Sequence, residues 1–367
     1  MKCFVFIFLF FSAISSNAQE DKIFKVASDS VSFKSADDKI VFGGTLSKPV
    51  GKKSFPTLVM VSGTGKQDRN GTMAGHKIFE QIATYLAEHG IAMLRTDDRG
   101  VGKTSGIYET ATTGDFAKDA LAAVAYLKSR KDIESGKIGL MGHSEGGAAI
   151  SIAAAESEDV KFLVSIAGLA MSGLDAQLKQ NADIVAASSL PDYDKKRSNE
   201  INAIMFKTAF RYASSDSLEM KLNHAYQQWK VKDDAYFKTL NIQFDHFRFP
   251  IYNYVQNSKG PWYRYFIQYD ASKTIAKIKV PILAINGDND LMVAAEDNLA
   301  NWKNYALVGG NKNVTTAKIP GLNHLMLPCK TCDNAEISKI QSGFSKEALT
   351  LIKDWIYKMI SDKRKHQ

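Results

Sequence analysis

Lys137-Ile-Gly-Leu-Met-Gly-His-Ser-Glu-Gly-Gly147 is the stretch on which the reading of this chain turns. An apolar run, Ile138 to Met141, enters Gly142-His143-Ser144-Glu145-Gly146, and a small-residue run rich in Ala and Ile follows. That order predicts a strand, a sharp turn and a helix. A glycine two residues to either side of Ser144 lets the backbone turn tightly and lets strand and helix approach closely. The turn pushes the Ser144 hydroxyl out at the top of a sheet in a strained conformation. A bare G-x-S-x-G match is common by chance; its placement between a strand and a helix is what marks a nucleophile.

The flanking chain supplies a sheet for that turn. Ile23 to Thr45 alternates in a β-rich pattern broken at Asp37-Asp38, which predicts two or three leading antiparallel strands. Pro56 to Ser62 is a buried-strand pattern running into the glycine-rich loop Ser62 to Gly71. A helix is expected over Phe79 to His89, a strand over Ile91 to Leu94, a helix over Phe116 to Leu127 and a strand over Lys161 to Ala167. Later come a strand at Pro281 to Asn286, a helix at Ala294 to Tyr305, a strand at Val314 to Ile319 and a closing helix at Phe344 to Ile360. Strands alternating with helices imply a parallel sheet covered on both faces.

Between Met171 and Ser272 strand signals vanish and charged helical segments take over. This stretch holds 18 of the chain's 38 aromatic residues, too many for a disordered linker. It is expected to be a helical cap. Trp229, Phe244, Phe247, Phe249, Trp262, Tyr263 and Phe266 are its candidate pocket residues, although most should simply form the cap's own core. Trp262, in the Gly260-Pro261-Trp262 turn just before the chain rejoins the sheet, is the candidate for substrate contact. The expected organisation is therefore a leader at 1–18, a first core segment at 19–170, the cap at 171–272 and a second core segment at 273–367.

Lys2, the apolar run Phe4 to Ile14 and Ser16-Asn17-Ala18 form the three parts of a cleavable signal peptide. The run is shorter than the ~20 apolar residues of a transmembrane helix. Export to the periplasm or beyond, with cleavage after Ala18, is expected, and no stable membrane insertion afterwards. Cys3 lacks a lipobox context. The formal charge of +8 is spread along the chain apart from the Lys363-Arg364-Lys365-His366 tail, which points to a solvated surface and not to nucleic-acid binding. In an exported protein, Cys329 and Cys332 can oxidise to a local disulfide; two thiols without a second pair or a histidine cluster make a poor zinc site.

In an open parallel sheet the carboxyl ends of the strands carry the ligand site. Ser144 needs a base, and His324, on the loop after the last strand, is the best placed. Asp290, after the preceding strand, is expected to orient the imidazole, ahead of Asp288. His143 should point into loop packing, and Asp98 is expected to pair with its neighbour Arg99. His76, His89, His224 and His246 fall in helical or cap segments. Attack on a carbonyl requires an oxyanion hole, for which the amides of Glu145 and Thr64 are the candidates, with Gly65 less favoured. A phosphate-cradling role for Gly63-Thr-Gly-Lys66 fails on spacing.

These residues together resemble the α/β-hydrolase superfamily across nearly the whole mature sequence. More closely, the chain is similar to exported bacterial serine esterases and serine-aminopeptidase-like hydrolases. The likeness rests on Gly63 to Gly71, Asp97 to Lys103, Gly142 to Gly146, Pro261 to Phe266 with Tyr269-Asp270, Gly287 to Asp290 and Gly321 to His324. It implies an α/β-hydrolase fold and a serine hydrolase working through an acyl-enzyme without metal or cofactor. The sequence departs from that group after His324, where Leu325-Met326-Leu327 precedes the cysteine pair. The expected reaction is cleavage of a carboxylic ester or related small acyl substrate. Aminopeptidase or acyl-peptide hydrolase activity on the same triad is the alternative, with Glu145 or an acidic cap residue meeting a substrate amine. A noncatalytic binding protein on this fold is the third reading.

Overall fold

The computed structural model describes residues 23–332 and 334–365. The expected signal peptide lies outside the described residues. The strands are β1 (Val26–Lys34), β2 (Val41–Pro49), β3 (Thr57–Val61), β4 (Thr72–Met73), β5 (His76–Lys77), β6 (Ala92–Thr96), β7 (Ile138–His143), β8 (Leu163–Ile166), β9 (Ile282–Gly287) and β10 (Val314–Ile319). Eight form one sheet in the order β1-β2-β6-β3-β7-β8-β9-β10. The β1–β2 and β2–β6 pairs are antiparallel and every later pair is parallel. This is the α/β-hydrolase fold. Every residue of β3, β7, β8 and β9 is buried, which is why these strands are near-continuous apolar runs with no alternation.

The helices are α1 (Ile78–Glu88), α2 (Thr113–Ser129), α3 (Gly146–Glu156), α4 (Gly173–Ala187), α5 (Asp192–Tyr212), α6 (Leu218–Lys238), α7 (Ile251–Ser258), α8 (Pro261–Ile267), α9 (Ala271–Ile275), α10 (Ala295–Val308), α11 (Asn334–Ile337) and α12 (Lys346–Lys365). Helix α2 opens with a capping box, Thr112 and Asp115 satisfying each other's first-turn amides. Residues of α2, α3, α9 and α10 fill one face of the sheet, and α1 and α12 fill the other.

Helices α4 to α9 lie between β8 and β9; α9 packs on the sheet, and α4 to α8 have an apolar cluster of their own that includes Ile201, Met205, Leu222 and Trp229. A buried cation gathers three of the cap's carboxylates. Arg197, buried, donates to Asp233 (2.7 Å), Asp245 (2.7 Å) and Asp194 (2.9 Å).

Several expectations change in detail. The glycine-rich loop continues into the short β4–β5 ribbon, so His76 lies in a strand and not in a helix; its Nε2 sits 3.1 Å from the Ile337 carbonyl. The closing helix starts at Lys346. Phe244 is exposed, whereas Trp229 is buried within the cap's own core.

Candidate active site

The elbow forms because no side chain would fit at its glycines. A Cβ on Gly142 would collide with the Gly146 carbonyl, and one on Gly146 with the carbonyl of Val61 in the neighbouring strand. Strand β7 therefore passes into α3 with almost no gap, and Ser144 takes φ +58° between them. Its own backbone is tied down. Ser144 N–H donates to the Ile166 carbonyl (3.2 Å), and its carbonyl accepts from Gly147 and Leu169 (2.9 Å each). Packing and hydrogen bonds together hold a side-chain-bearing residue in the left-handed region.

Parallel pairing of β9 with β10 aligns Gly287 with Ile319 and brings the two following loops together. His324 Nδ1 donates to Asp290 Oδ2 at 2.8 Å. The other Asp290 oxygen accepts the amides of Met292 (2.8 Å) and Val293 (2.9 Å), so the carboxylate cannot rotate. Asp288 is spent elsewhere, accepting Gly321 N–H at 2.7 Å and tying the two loops together. With Nδ1 committed to Asp290, Nε2 is the ring nitrogen left for Ser144, which lines the same cavity of ≈ 320 Å³.

His143 is buried, and its Nε2–H donates to the His324 carbonyl at 3.0 Å. Burial, with His324 alongside, pushes its pKa down to about 3, so the ring is neutral. The His324 loop is closed further along: Asn323 Oδ1 accepts the amides of Leu325 (3.0 Å) and Leu327 (3.1 Å), and Cys329 and Cys332 are joined by a disulfide.

The expected Asp98–Arg99 pair does not form. Arg99 instead holds Asp119 through two 2.7 Å bonds, because its side chain turns toward α2. Asp98 accepts Ser62 Oγ–H (2.6 Å) and Gln67 N–H (2.8 Å), one at each end of the Gly63 to Lys66 loop. Burial, helped by Asp119 and Asp97, pushes its pKa up to about 7 against those two hydrogen bonds. Within that loop, the Gly65 amide is already committed, donating to Tyr108 Oη at 2.7 Å. Thr64 lines the cavity beside Ser144 and Glu145, and Gly63 packs against Ser144 so closely that a Cβ there would lie 2.7 Å from the serine Cβ.

Glu145 is the residue whose side chain sequence reasoning understated. It is 4% exposed and lines the cavity. Its carboxylate accepts Thr64 Oγ1–H (2.6 Å), Thr113 Oγ1–H (2.6 Å) and Trp262 Nε1–H (2.8 Å). It thus joins the elbow to the glycine-rich loop, to α2 and to the cap. Trp262 is stacked on Phe266, and both rings face the cavity. Asp97, Asp194, Asp233 and Asp290, the other carboxylates less than a tenth exposed among the described residues, each meet an arginine or a histidine, while the half-buried Asp98 has only the two neutral donors named above. Glu145's three partners are all neutral.

Among the described residues no helix is long and apolar enough to cross a membrane, and no three His, Cys, Asp or Glu gather as a metal site. A family model described as X-Pro dipeptidyl-peptidase (S15 family) matches residues 43–317. Esterase EstD of Thermotoga maritima is 25% identical over 286 residues, which is 77% of this chain and 58% of that protein. The chain thus spans a little over half the length of the curated relative that it matches. Among solved structures, the Pyrococcus furiosus esterase Pf2001 superposes with a TM-score of 0.54 at 17% identity, covering 92% of this chain and 91% of that one. The hypothetical protein PA2218 from Pseudomonas aeruginosa superposes with a TM-score of 0.52 at 17% identity, covering 86% and 92%. These structural likenesses speak for the fold.

Proposed function

The chain belongs to the X-Pro dipeptidyl-peptidase (S15) family, and from that premise we propose that it is a serine hydrolase acting on short peptides or aminoacyl compounds with a free amino terminus. Ser144 attacks the carbonyl carbon. His324 Nε2 takes the serine proton and passes it to the leaving nitrogen, while Asp290 holds the imidazole and stabilises its protonated form. The amides of Glu145 and Thr64 receive the oxyanion. Water then attacks the acyl-enzyme, with His324 again as base, and Ser144 is freed.

The observation that favours a substrate amine is Glu145. A buried carboxylate without a cationic partner is costly, and the cavity that Glu145 shares with Ser144 is open to a ligand. A substrate ammonium would supply the missing charge. Gln67, whose Oε1 is buried without a hydrogen-bond partner, lines the same cavity and offers a second acceptor.

The test compares aminoacyl substrates with a free amine against the same compounds N-acetylated. The free amine is expected to raise kcat/KM, and Glu145→Gln to cut kcat/KM about 10- to 150-fold for the free-amine series only, in line with a charged hydrogen bond of roughly 1.5–3 kcal/mol. Equal turnover of both series, unchanged in Glu145→Gln, would favour the second reading, cleavage of carboxylic esters. That reading is supported by the similarity to EstD. Export is proposed from the N-terminal leader pattern, and it accords with the Cys329–Cys332 disulfide, a bond that persists in oxidising compartments.

A further inference from the structure

His324 lines two cavities. One is the space that holds Ser144, Glu145 and Trp262. The other is a separate cavity of ≈ 310 Å³, and Met73, Met292 and His324 line both. We propose that this second cavity is the leaving-group subsite and that it selects an uncharged, apolar group on the departing nitrogen or oxygen. The inference rests on the serine-hydrolase reading above.

The chemistry sets the direction. When Ser144 Oγ bonds to the acyl carbon, the bond from that carbon to the leaving atom breaks. The proton that His324 Nε2 took from Oγ goes to the leaving atom. The leaving atom must therefore be within reach of His324, and the group it carries extends past the imidazole. The acyl part, with its amine, stays with Glu145 beneath the cap. The second cavity adjoins the first there, sharing Met73, Met292 and His324 with it.

Its walls determine what fits there. Leu291, Leu325, Ile337 and the two shared methionines supply an apolar lining, and the disulfide-bonded Cys332 joins them. Among the described residues the lining carries no lysine, arginine, aspartate or glutamate. A charged side chain or a free carboxylate would be desolvated here with no counter-ion. One polar group is unspent: Asn323 is fully buried, lines the cavity, and its Nδ2 has no hydrogen-bond partner, since its Oδ1 already serves Leu325 and Leu327. That amide is a donor for a carbonyl or ether oxygen of the leaving group. The walls come from three separate places in the chain, namely the β4–β5 ribbon, the loop after β9 and the loop from His324 to α11.

The experiment holds the acyl part constant and varies the leaving group from small to bulky apolar and to charged, reading kcat/KM, which reports acylation. The wild type is expected to favour the bulky apolar group over the small one by about 10- to 200-fold, the range that small apolar increments command in a pocket, and to turn over the charged group least. Leu291→Asp and Ile337→Asp, on different walls, are each expected to lower the apolar-to-small ratio at least about tenfold. Labelling of Ser144 by a small fluorophosphonate is followed in every variant to report folding and nucleophile reactivity separately. A flat wild-type panel overturns the subsite, as does a ratio unmoved in both labelled variants. Wild-type protein that is neither labelled nor active sinks the serine-hydrolase reading itself, and the subsite with it.

Discussion

His143 donates its Nε2–H to the main-chain carbonyl of His324 across 3.0 Å, so the residue preceding the elbow serine holds the loop that carries the imidazole. The two rings lie 4.8 Å apart, centroid to centroid. The elbow and the His324 loop are thereby fixed to one another, through a side chain with no place in the proton transfers proposed above.

Replacing that tether should loosen the base without removing it. His143→Ala is expected to lower kcat roughly tenfold or more, in line with the cost of misplacing a catalytic group, and to change KM little. It should also cost about 2–3 kcal/mol of stability at pH 7 through the lost hydrogen bond and the cavity. The native ring titrates near 3 instead of its ordinary 6.5, so below 6.5 the unfolded chain binds a proton that the native state does not. Stability from this group is present above pH 6.5 and lost as pH falls toward 3. The gap between wild type and variant should accordingly narrow from pH 7 to pH 4, measured by denaturant titration at each pH.

Ser144→Ala should abolish fluorophosphonate labelling and turnover. Asp290→Asn should keep the fold while reducing kcat by roughly 10³- to 10⁴-fold, since a carboxamide favours the wrong imidazole tautomer. Circular dichroism alongside steady-state kinetics separates the two effects. Labelling that survives in Ser144→Ala would remove Ser144 from the nucleophile role.

Asp98 gives the opposite pH signature to His143. Its folded pKa of about 7 lies above its ordinary 3.8, so the stability it contributes is present below about pH 4 and lost as pH rises through 7. Asp98→Asn should gain stability relative to the wild type over that interval. Because Asp98 ties both ends of the Gly63 to Lys66 loop, the same variant should lower kcat more than it raises KM. Parallel melts at pH 4 and pH 7 check the first expectation, and Michaelis kinetics the second.

Arg197→Met should be severe although the residue is remote from Ser144. It leaves Asp194, Asp233 and Asp245 clustered without their cation. Breaking a buried ion pair from one side costs about 3–5 kcal/mol, and here one residue serves three. The expected result is a lower Tm with early loss of the cap's hydrogen-exchange protection across α5 and α6, while β7 and α3 remain protected.

Much of the sheet was legible because the inner parallel strands β3, β7, β8 and β9 are buried throughout and their apolar runs are short and bounded. Val314–Ile319 was predicted at its observed bounds, and Ile138 was named as the start of the elbow strand. The β4–β5 ribbon was not legible: two-residue strands such as Thr72–Met73 carry no periodicity. Asp98 was misread because adjacency in sequence suggested Arg99 as its partner. Both residues lie in the turn that follows β6 (Ala92–Thr96), where their side chains diverge, Asp98 to the Ser62 loop and Arg99 to α2.

By itself, the sequence determined the features that local rules govern. Gly142 and Gly146 admit a sharp turn at Ser144, apolar runs set the strands, and the order Ser144, Asp290, His324 places three polar groups at strand ends. Tertiary structure alone decided which groups meet. Glu145 received its three neutral donors from Thr64, Thr113 and Trp262, residues on three different segments. The second cavity beside His324 exists only where a ribbon, a post-strand loop and a disulfide-bonded loop converge. Hydrogen bonding and cavity shape depend on distances between segments far apart in the chain, and those distances are set by packing, which local residue pattern does not encode.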